Sequence, residues 1–283
     1  MFNLRTLCTA IGLSLFSTIC PALAQDNQLA TEIANLPWQS YPTVGAIGST
    51  AQVALTNDLQ FLAASGSRRF LELNGNPPRD GNYTLAPRSL DWFAVFTFEP
   101  IGYVKDDERL DPDELLRILR EQNAAGAAER RRLQIPVLTL DGWVAPPHYD
   151  AETHRLEWGV RLKTDDGQTV SNYTVRLLGR AGVMNAVLVS DPQNLSDDIA
   201  QFKDALRGFA FVPGQKYAEF RQGDHVAEYG LAALVVGGAA AAASKSGALK
   251  GLVKLIGVAV LGGLGAIGAL FRRLFGRKDS QAA

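Results

Sequence analysis

Two of the three histidines in the chain, His148 and His154, bracket its densest run of chemically capable side chains, His148-Tyr149-Asp150 and then His154, with Trp143 and Trp158 on either side. Two imidazoles and a carboxylate so close together could ligate a transition metal or work as an acid–base pair. The spacing does not favour a metal, because His148 and His154 do not share one helical or strand face as the two histidines of H-E-x-x-H do. The same residues also make an ordinary connection between two strands. In that reading Pro146-Pro147 breaks the ladder, Asp150 caps the turn, and the tryptophans pack beneath, Trp143 buried. The structural reading is favoured. The candidate binding cluster is therefore His148, Tyr149, Asp150 and His154, exposed on a loop, with no metal and no cofactor expected. Catalysis by His148, Asp150 and His154 is the alternative.

Other candidate chemistry is weaker. The stretch 105–114 holds six acids in ten residues, but it lacks the Gly and the distal Glu that an EF-hand calcium loop needs. Acids at a helix start are already accounted for by capping and the macrodipole. Glu129-Arg130-Arg131-Arg132 reads in the same way as the cationic last turn of that helix. The string GLGAIG at 263–268 matches the G-x-G-x-x-G fingerprint by letter, yet no strand precedes it and no acidic residue follows in a βαβ unit, so no nucleotide is expected there. No G-x-S-x-G, S-x-x-K or P-loop pattern occurs in the chain.

The elements that must position these residues read as α+β. Alternating apolar positions at Ala51, Val53 and Leu55, then at Leu59, Phe61 and Leu62, give short strands. Ser65 is placed to cap a helix carrying Phe70, Leu71 and Leu73 that Gly75 ends. The stretch 76–81 is a turn-rich loop, 92–98 is an aromatic strand, and 101–104 continues it past Pro100. Asp111-Pro112-Asp113-Glu114 starts a helix running to about Arg132 with Leu115, Leu116, Ile118, Leu119 and Leu133 on one face. Four alternating runs follow at 137–144, 155–163, 169–178 and 183–189, read as an antiparallel meander. A helix capped by Asn194 or Ser196 and a last short strand at 209–212 close the domain. The expected fold is a largely antiparallel sheet, its C-terminal part a four-stranded meander, with packed helices and then a C-terminal transmembrane helix.

Composition bears on location more than on reaction. The 283 residues are 47% hydrophobic and 20% charged with a net charge of -1, a balance that suits a packed core and offers no basic surface for nucleic acid. Charge is divided unequally: 25–226 carries 20 basic and 27 acidic residues, whereas 227–283 carries 7 and 2. An acidic body followed by a basic, apolar tail suggests a membrane partner. Arg5, a short uncharged apolar run and Ala22-Leu23-Ala24 form an export signal, 1–24. Both cysteines, Cys8 and Cys20, lie inside it, and Ile19 beside Cys20 argues against a lipid anchor there. Two tail stretches compete to span the bilayer. The one at 229–244 has four strong apolar residues and the one at 255–271 has nine. At about 0.3–0.6 kcal/mol each on the insertion scale, the second wins; a hairpin in which both span, with Lys245 and Lys250 inside and the tail outside, is the alternative. The expected layout is signal peptide 1–24, exported domain 25–226, an Ala/Gly-rich membrane-proximal helix 227–254, transmembrane helix 255–271 and basic cytoplasmic tail 272–283. Arg272, Arg273, Arg277 and Lys278 hold the end inside.

Four long strings, WFAVFTFEPIGYVKDDERLDPDELL, GWVAPPHYDAETHRLEWGV, NYTVRLLGRAGVM and VPGQKYAEFRQGDHVAEYGLAALVVGGAAA, resemble the bacterial membrane-anchored family catalogued as domain of unknown function 2167, from about residue 44 to the tail. The resemblance implies an architecture, an exported domain tethered by its C-terminal end, and no activity. The expected function is a non-enzymatic envelope module at the bacterial inner membrane, main domain periplasmic, binding an envelope protein or component. A membrane-tethered hydrolase, with or without a metal, is the alternative.

Overall fold

The computed structural model describes residues 21–132, 137–165 and 167–237. Helix α1 (Pro21–Ala34) leads into strands β1 (Gln39–Ser40), β2 (Val44–Ile47), β3 (Ala51–Ala54) and β4 (Leu59–Leu62), helix α2 (Ala64–Leu73), and strands β5 (Asn82–Pro87) and β6 (Trp92–Glu99). Helix α3 (Pro112–Arg132) follows, then β7 (Leu138–Asp150), β8 (Arg155–Thr164), β9 (Thr169–Leu178) and β10 (Val183–Ser190), helix α4 (Leu195–Ala205), β11 (Phe209–Phe211) and helix α5 (Leu231–Val236). Eight strands form an antiparallel sheet in the order β1-β4-β5-β6-β10-β9-β8-β7, and β11-β3-β2 form a second, small sheet.

Period-two alternation fills both faces of the large sheet, which is why its central strands are apolar throughout. On β6, Trp92, Ala94 and Phe96 pack with Met184, Ala186 and Leu188 of β10, with Phe202 of α4 and with Val53 of the small sheet. The intervening Phe93 and Val95 face Ile33 of α1 and Phe70 and Leu71 of α2. Farther along that second face, Leu156, Trp158, Val160 and Leu162 of β8 lie under Leu115 and Leu119 of α3 and under α5.

Helix α3 begins as its residues dictate. The Asp111 carboxylate accepts from the Asp113 and Glu114 N–H groups at 3.1 and 3.2 Å, and arginines occupy the last turn. The helix also covers the long edge strand β7. Asn123 donates to the Leu138 carbonyl at 2.7 Å and accepts from the Leu140 N–H at 3.0 Å, and Arg120 donates to the Asp141 carbonyl at 2.6 Å. Those polar side chains occupy an edge that would otherwise be a template for another strand.

Several expectations are corrected. Pro146-Pro147 does not end β7, which continues to Asp150 through register shifts between Leu140 and Gly142, Trp143 and Ala145, and Ala145 and His148. An edge strand can bulge and lose proline N–H groups without leaving a neighbour unpaired. Residues 101–104 form no strand; Tyr103 instead makes a single parallel bridge to Val226. Neither α2 nor α4 has a side-chain cap: Ala63 stands at the first N-cap and Asn194 makes no capping bond at the second. Strand β5 has no counterpart in the periodicity, because Asn82 and Pro87 bound it and the polar Thr84 is buried with its hydroxyl 2.6 Å from that of Ser67.

The C-terminal part of the described chain is core. Leu231, Leu234, Val235 and Val236 are 0, 1, 2 and 6% exposed, α5 lies on α3, and Gly237 in the left-handed region ends it. The folded core thus runs past the expected boundary at 226, and the helix expected at 227–254 is six residues long within the described part. Among the described residues no helix is long and apolar enough to cross a membrane; the expected span 255–271 and residues 1–20 lie outside them. Among the described side chains of α1, Leu29 and Ile33 pack into the core. Leu234→Ala should lower unfolding stability in a urea titration by about 2–5 kcal/mol, the cost of a cavity at a closed site; an unchanged midpoint would show that α5 is not part of the folded unit.

Candidate functional site

The β7–β8 hairpin turns at residues 151–154, and Asp150 fixes the turn. Its carboxylate accepts from the Glu152 and Thr153 N–H groups at 2.9 and 3.4 Å and from the Thr153 hydroxyl at 2.7 Å. Those donors, the Thr153 hydroxyl first, hold the Asp150 carboxyl below the ordinary range. His154 closes the turn at φ 51. His148 and Tyr149 sit in β7 itself, where successive side chains point to opposite faces. The four expected residues therefore divide. His148 is exposed, Asp150 is engaged by its own turn, and only Tyr149 and His154 come together.

A residue from a distant segment joins them. The Tyr149 hydroxyl donates to Asp106 Oδ2 at 2.8 Å, and the same hydroxyl lies 3.2 Å from His154 Nδ1. With its one proton directed at Asp106, the phenol can only accept from His154, which places a proton on Nδ1. Burial, followed by the Asp106 bond and charge, pushes the Tyr149 phenol far up, so it stays protonated as that donor. His154 Nδ1 is itself 3.6 Å from Asp106 Oδ2. From His154 a stack of rings runs outward: Tyr217 at 4.2 Å, Tyr103 at 4.4 Å beyond it, and Phe220 at 4.2 Å beyond that. Tyr217 is anchored by its hydroxyl on the Val104 carbonyl at 2.8 Å.

Residues 212–230 lie across this end of the sheet and are tied to the Gly102-Tyr103 segment and to the β9–β10 turn. Tyr103 donates its N–H to the His225 carbonyl at 2.8 Å and accepts from the Ala227 N–H at 2.9 Å. The Arg180 N–H, in the β9–β10 turn, donates to the Gln215 carbonyl at 2.9 Å. The Arg180 guanidinium grips Asp224 through Nε and Nη2, both at 2.7 Å. Gly102 has φ 93, and a Cβ there would collide with the ring and carbonyl of His225. Only glycine allows that approach. Between the segments lies an open groove of about 480 Å³ lined by Pro100, Gly102, Arg180, Ala181, Gly214, Gln215, Asp224 and His225.

Chemically, this is a closed network with a groove beside it. Among the described residues, no three His, Cys, Asp or Glu side chains converge to hold a metal ion. Each of the four strings that carry the family resemblance contributes: Tyr103 and Asp106 from the first, Tyr149 and His154 from the second, Arg180 from the third, Tyr217, Phe220 and Asp224 from the fourth. Sequence reasoning missed Asp106, whose partner is 43 positions away. A signal was present, because Asp111 alone suffices to cap α3 and leaves Asp106 and Glu108 without a role at the helix start. Glu108 in fact accepts the Ala232 N–H at 3.0 Å at the start of α5.

Asp224 gives the site a pH signature. The Arg180 guanidinium first, and the Arg221 N–H second, hold its carboxyl down at about 2. A carboxylate depressed in the folded state contributes stability that is present above its unfolded value near 4 and is lost as pH falls through about 2. Asp224→Asn should therefore flatten the dependence of thermal stability on pH between about 4 and 2, relative to the unaltered protein. Identical slopes in that window would mean that the Arg180 pair does not form.

Comparison with known proteins gives a family and no activity. No curated protein matches the chain. Among solved structures, it is similar to the solution structure of cyanobacterial PsbP (CyanoP) from Synechocystis sp. PCC 6803, at 9% identity and a TM-score of 0.35, over 62% of this chain and 94% of that one; a likeness that distant carries no argument. A family model described as "Protein of unknown function (DUF2167)" matches residues 39–268. The chain belongs to the DUF2167 family.

Proposed function

We propose that the protein is a non-enzymatic module of the bacterial cell envelope, its exported α+β domain binding an envelope component while the C-terminal segment holds it at the inner membrane. One observation carries the reading: the chemically capable side chains at the sheet end are engaged with one another. Tyr149, Asp106 and His154 form one group, Asp150 serves its turn, and Arg180 holds Asp224. What this network presents outward is a rigid surface with Phe220 and Val226 exposed, and a fixed surface lowers the ordering cost of binding.

The hydrolase alternative needs His148, Asp150 and His154 to act on one substrate atom. Alternation along β7 turns His148 away from the face on which Tyr149 meets His154, and the Asp150 oxygens are taken up by residues 152 and 153. Nothing in that geometry favours hydrolysis.

Single-span topology, body outside and tail inside, gains support from α5. A hairpin in which 229–244 also spans would have to withdraw Leu231, Leu234, Val235 and Val236 from the core and uncover the α3 and β8 side chains packed with them, Leu115, Leu119 and Leu156 among them. The segment 255–271 carries nine strong apolar residues followed by four cations. Two measurements test the proposal. Alkaline phosphatase fused after Lys278 should be inactive, and activity there would place the tail outside and refute the topology. Metal analysis of the purified full-length protein should find no stoichiometric transition metal. Stoichiometric zinc that is lost in His154→Ala would restore the hydrolase.

A further inference from the structure

We propose that the groove between Arg180, Gln215, Asp224 and His225 is a carbohydrate site that takes a neutral sugar unit of an envelope glycan, with Phe220 as its stacking platform. This deepens the binding-module reading and rests on it.

Size and wall chemistry come first. At about 480 Å³ the open groove falls within the volume range of small-ligand sites. Gly102, Ala181 and Gly214 line it with little side-chain bulk, so a ligand can approach the backbone closely. The remaining walls are Pro100 and four polar residues, Arg180, Gln215, Asp224 and His225, whose side chains between them offer donors and acceptors.

Charge then selects the ligand class. Arg180 and Asp224 neutralise each other in a two-point pair at 2.7 Å. An incoming phosphate or carboxylate would have to compete with Asp224 for the guanidinium. A hydroxyl both donates and accepts, so vicinal hydroxyls can reach the outer lone pairs of Asp224 and the outer N–H groups of Arg180 with the pair intact. Among the described residues, Arg180 Nη1 donates to the Gly214 carbonyl at 3.5 Å, a distance at the limit of hydrogen bonding.

The aromatic face completes the constellation. Phe220 is 38% exposed and is held on Tyr103, which is in turn held on Tyr217. It opens the 220–224 turn, in which the Asp224 N–H donates to the Arg221 carbonyl at 3.0 Å. Phe220 lies outside the groove lining, at its margin: its stacking partner Tyr103 follows Gly102 and bonds the His225 carbonyl, and Gly102, Asp224 and His225 all line the groove. A ring fixed in this way loses little freedom when the apolar C–H face of a sugar settles on it.

The acids at the groove are not arranged for hydrolysis. Arg180 keeps Asp224 ionised, and Glu219 accepts from the Gly214 and Lys216 N–H groups at 2.7 and 2.9 Å, which holds it ionised as well. Glycoside cleavage needs one carboxyl of a pair protonated to donate to the leaving oxygen. The site binds and does not cut.

The test is isothermal titration of the full-length protein in detergent with chitotetraose and with cellotetraose, using inorganic phosphate and tetraglycine as comparators. Either tetrasaccharide should bind, and Phe220→Ala and Gln215→Ala should each weaken binding at least tenfold at unchanged thermal midpoint. Gln215→Ala removes a side chain at the groove wall and leaves the main-chain bond to Arg180, so it remains informative if Phe220→Ala perturbs the ring stack. No tetrasaccharide binding, binding indifferent to both variants, or binding of phosphate or tetraglycine in place of sugar would overturn the carbohydrate site alone. Release of shorter sugars from either tetramer would overturn it together with the non-enzymatic reading.

Discussion

The two main-chain hydrogen bonds between Tyr103 and the 225–227 segment are the constraint on which this end of the molecule depends. They seat Gly102 against His225 and bring Tyr103 between Tyr217 and Phe220. They also leave the following loop placed so that Asp106 reaches Tyr149, Glu108 reaches the first turn of α5, and Asp111 starts α3. A net contribution of about 0.5–1.5 kcal/mol per hydrogen bond cannot by itself hold down a long segment. The four α5 side chains, at roughly 1.5–3 kcal/mol each when fully buried, supply more. Apolar burial thus retains the C-terminal segment, and the hydrogen bonds decide its register.

The division of labour explains what was legible in the sequence. Helix α3 was readable because its cap, its acidic first turn and its Leu spacing agree, and the structure reproduces each of them. The aromatic strand β6 was readable for a similar reason, eight residues of consistent β character. Residues 101–104 misled because apolar alternation reports burial and says nothing of the partner; Tyr103 and Val104 are packed and bonded, yet to a segment more than a hundred positions away. Pro146-Pro147 misled because the rule that proline breaks a ladder applies to a strand flanked on both sides, and β7 is an edge.

For the site, the hairpin bearing His148, Tyr149, Asp150 and His154 was legible as a concentration of capable side chains, and the reason to separate them was not. Alternation in β7 sends His148 and Tyr149 to opposite faces, and which face acquires Asp106 is a tertiary fact. Local turn chemistry was the readable part, since Asp150 followed by Thr153 is a common way to fix a turn. The ring stack and the Arg180 pair with Asp224 join residues through the fold and leave no periodic trace.

The central claim is that loop, C-terminal segment, α5 and sheet end form one cooperative unit. Native-state hydrogen exchange at the amides of Tyr103 and Ala227, the two donors of the bridge, tests it most directly. If the claim holds, both amides open with the same free energy and the same denaturant dependence as amides in the middle of β10. Exchange of those two amides at a markedly lower free energy, while β10 stays protected, would show that the C-terminal segment opens independently and would contradict the account.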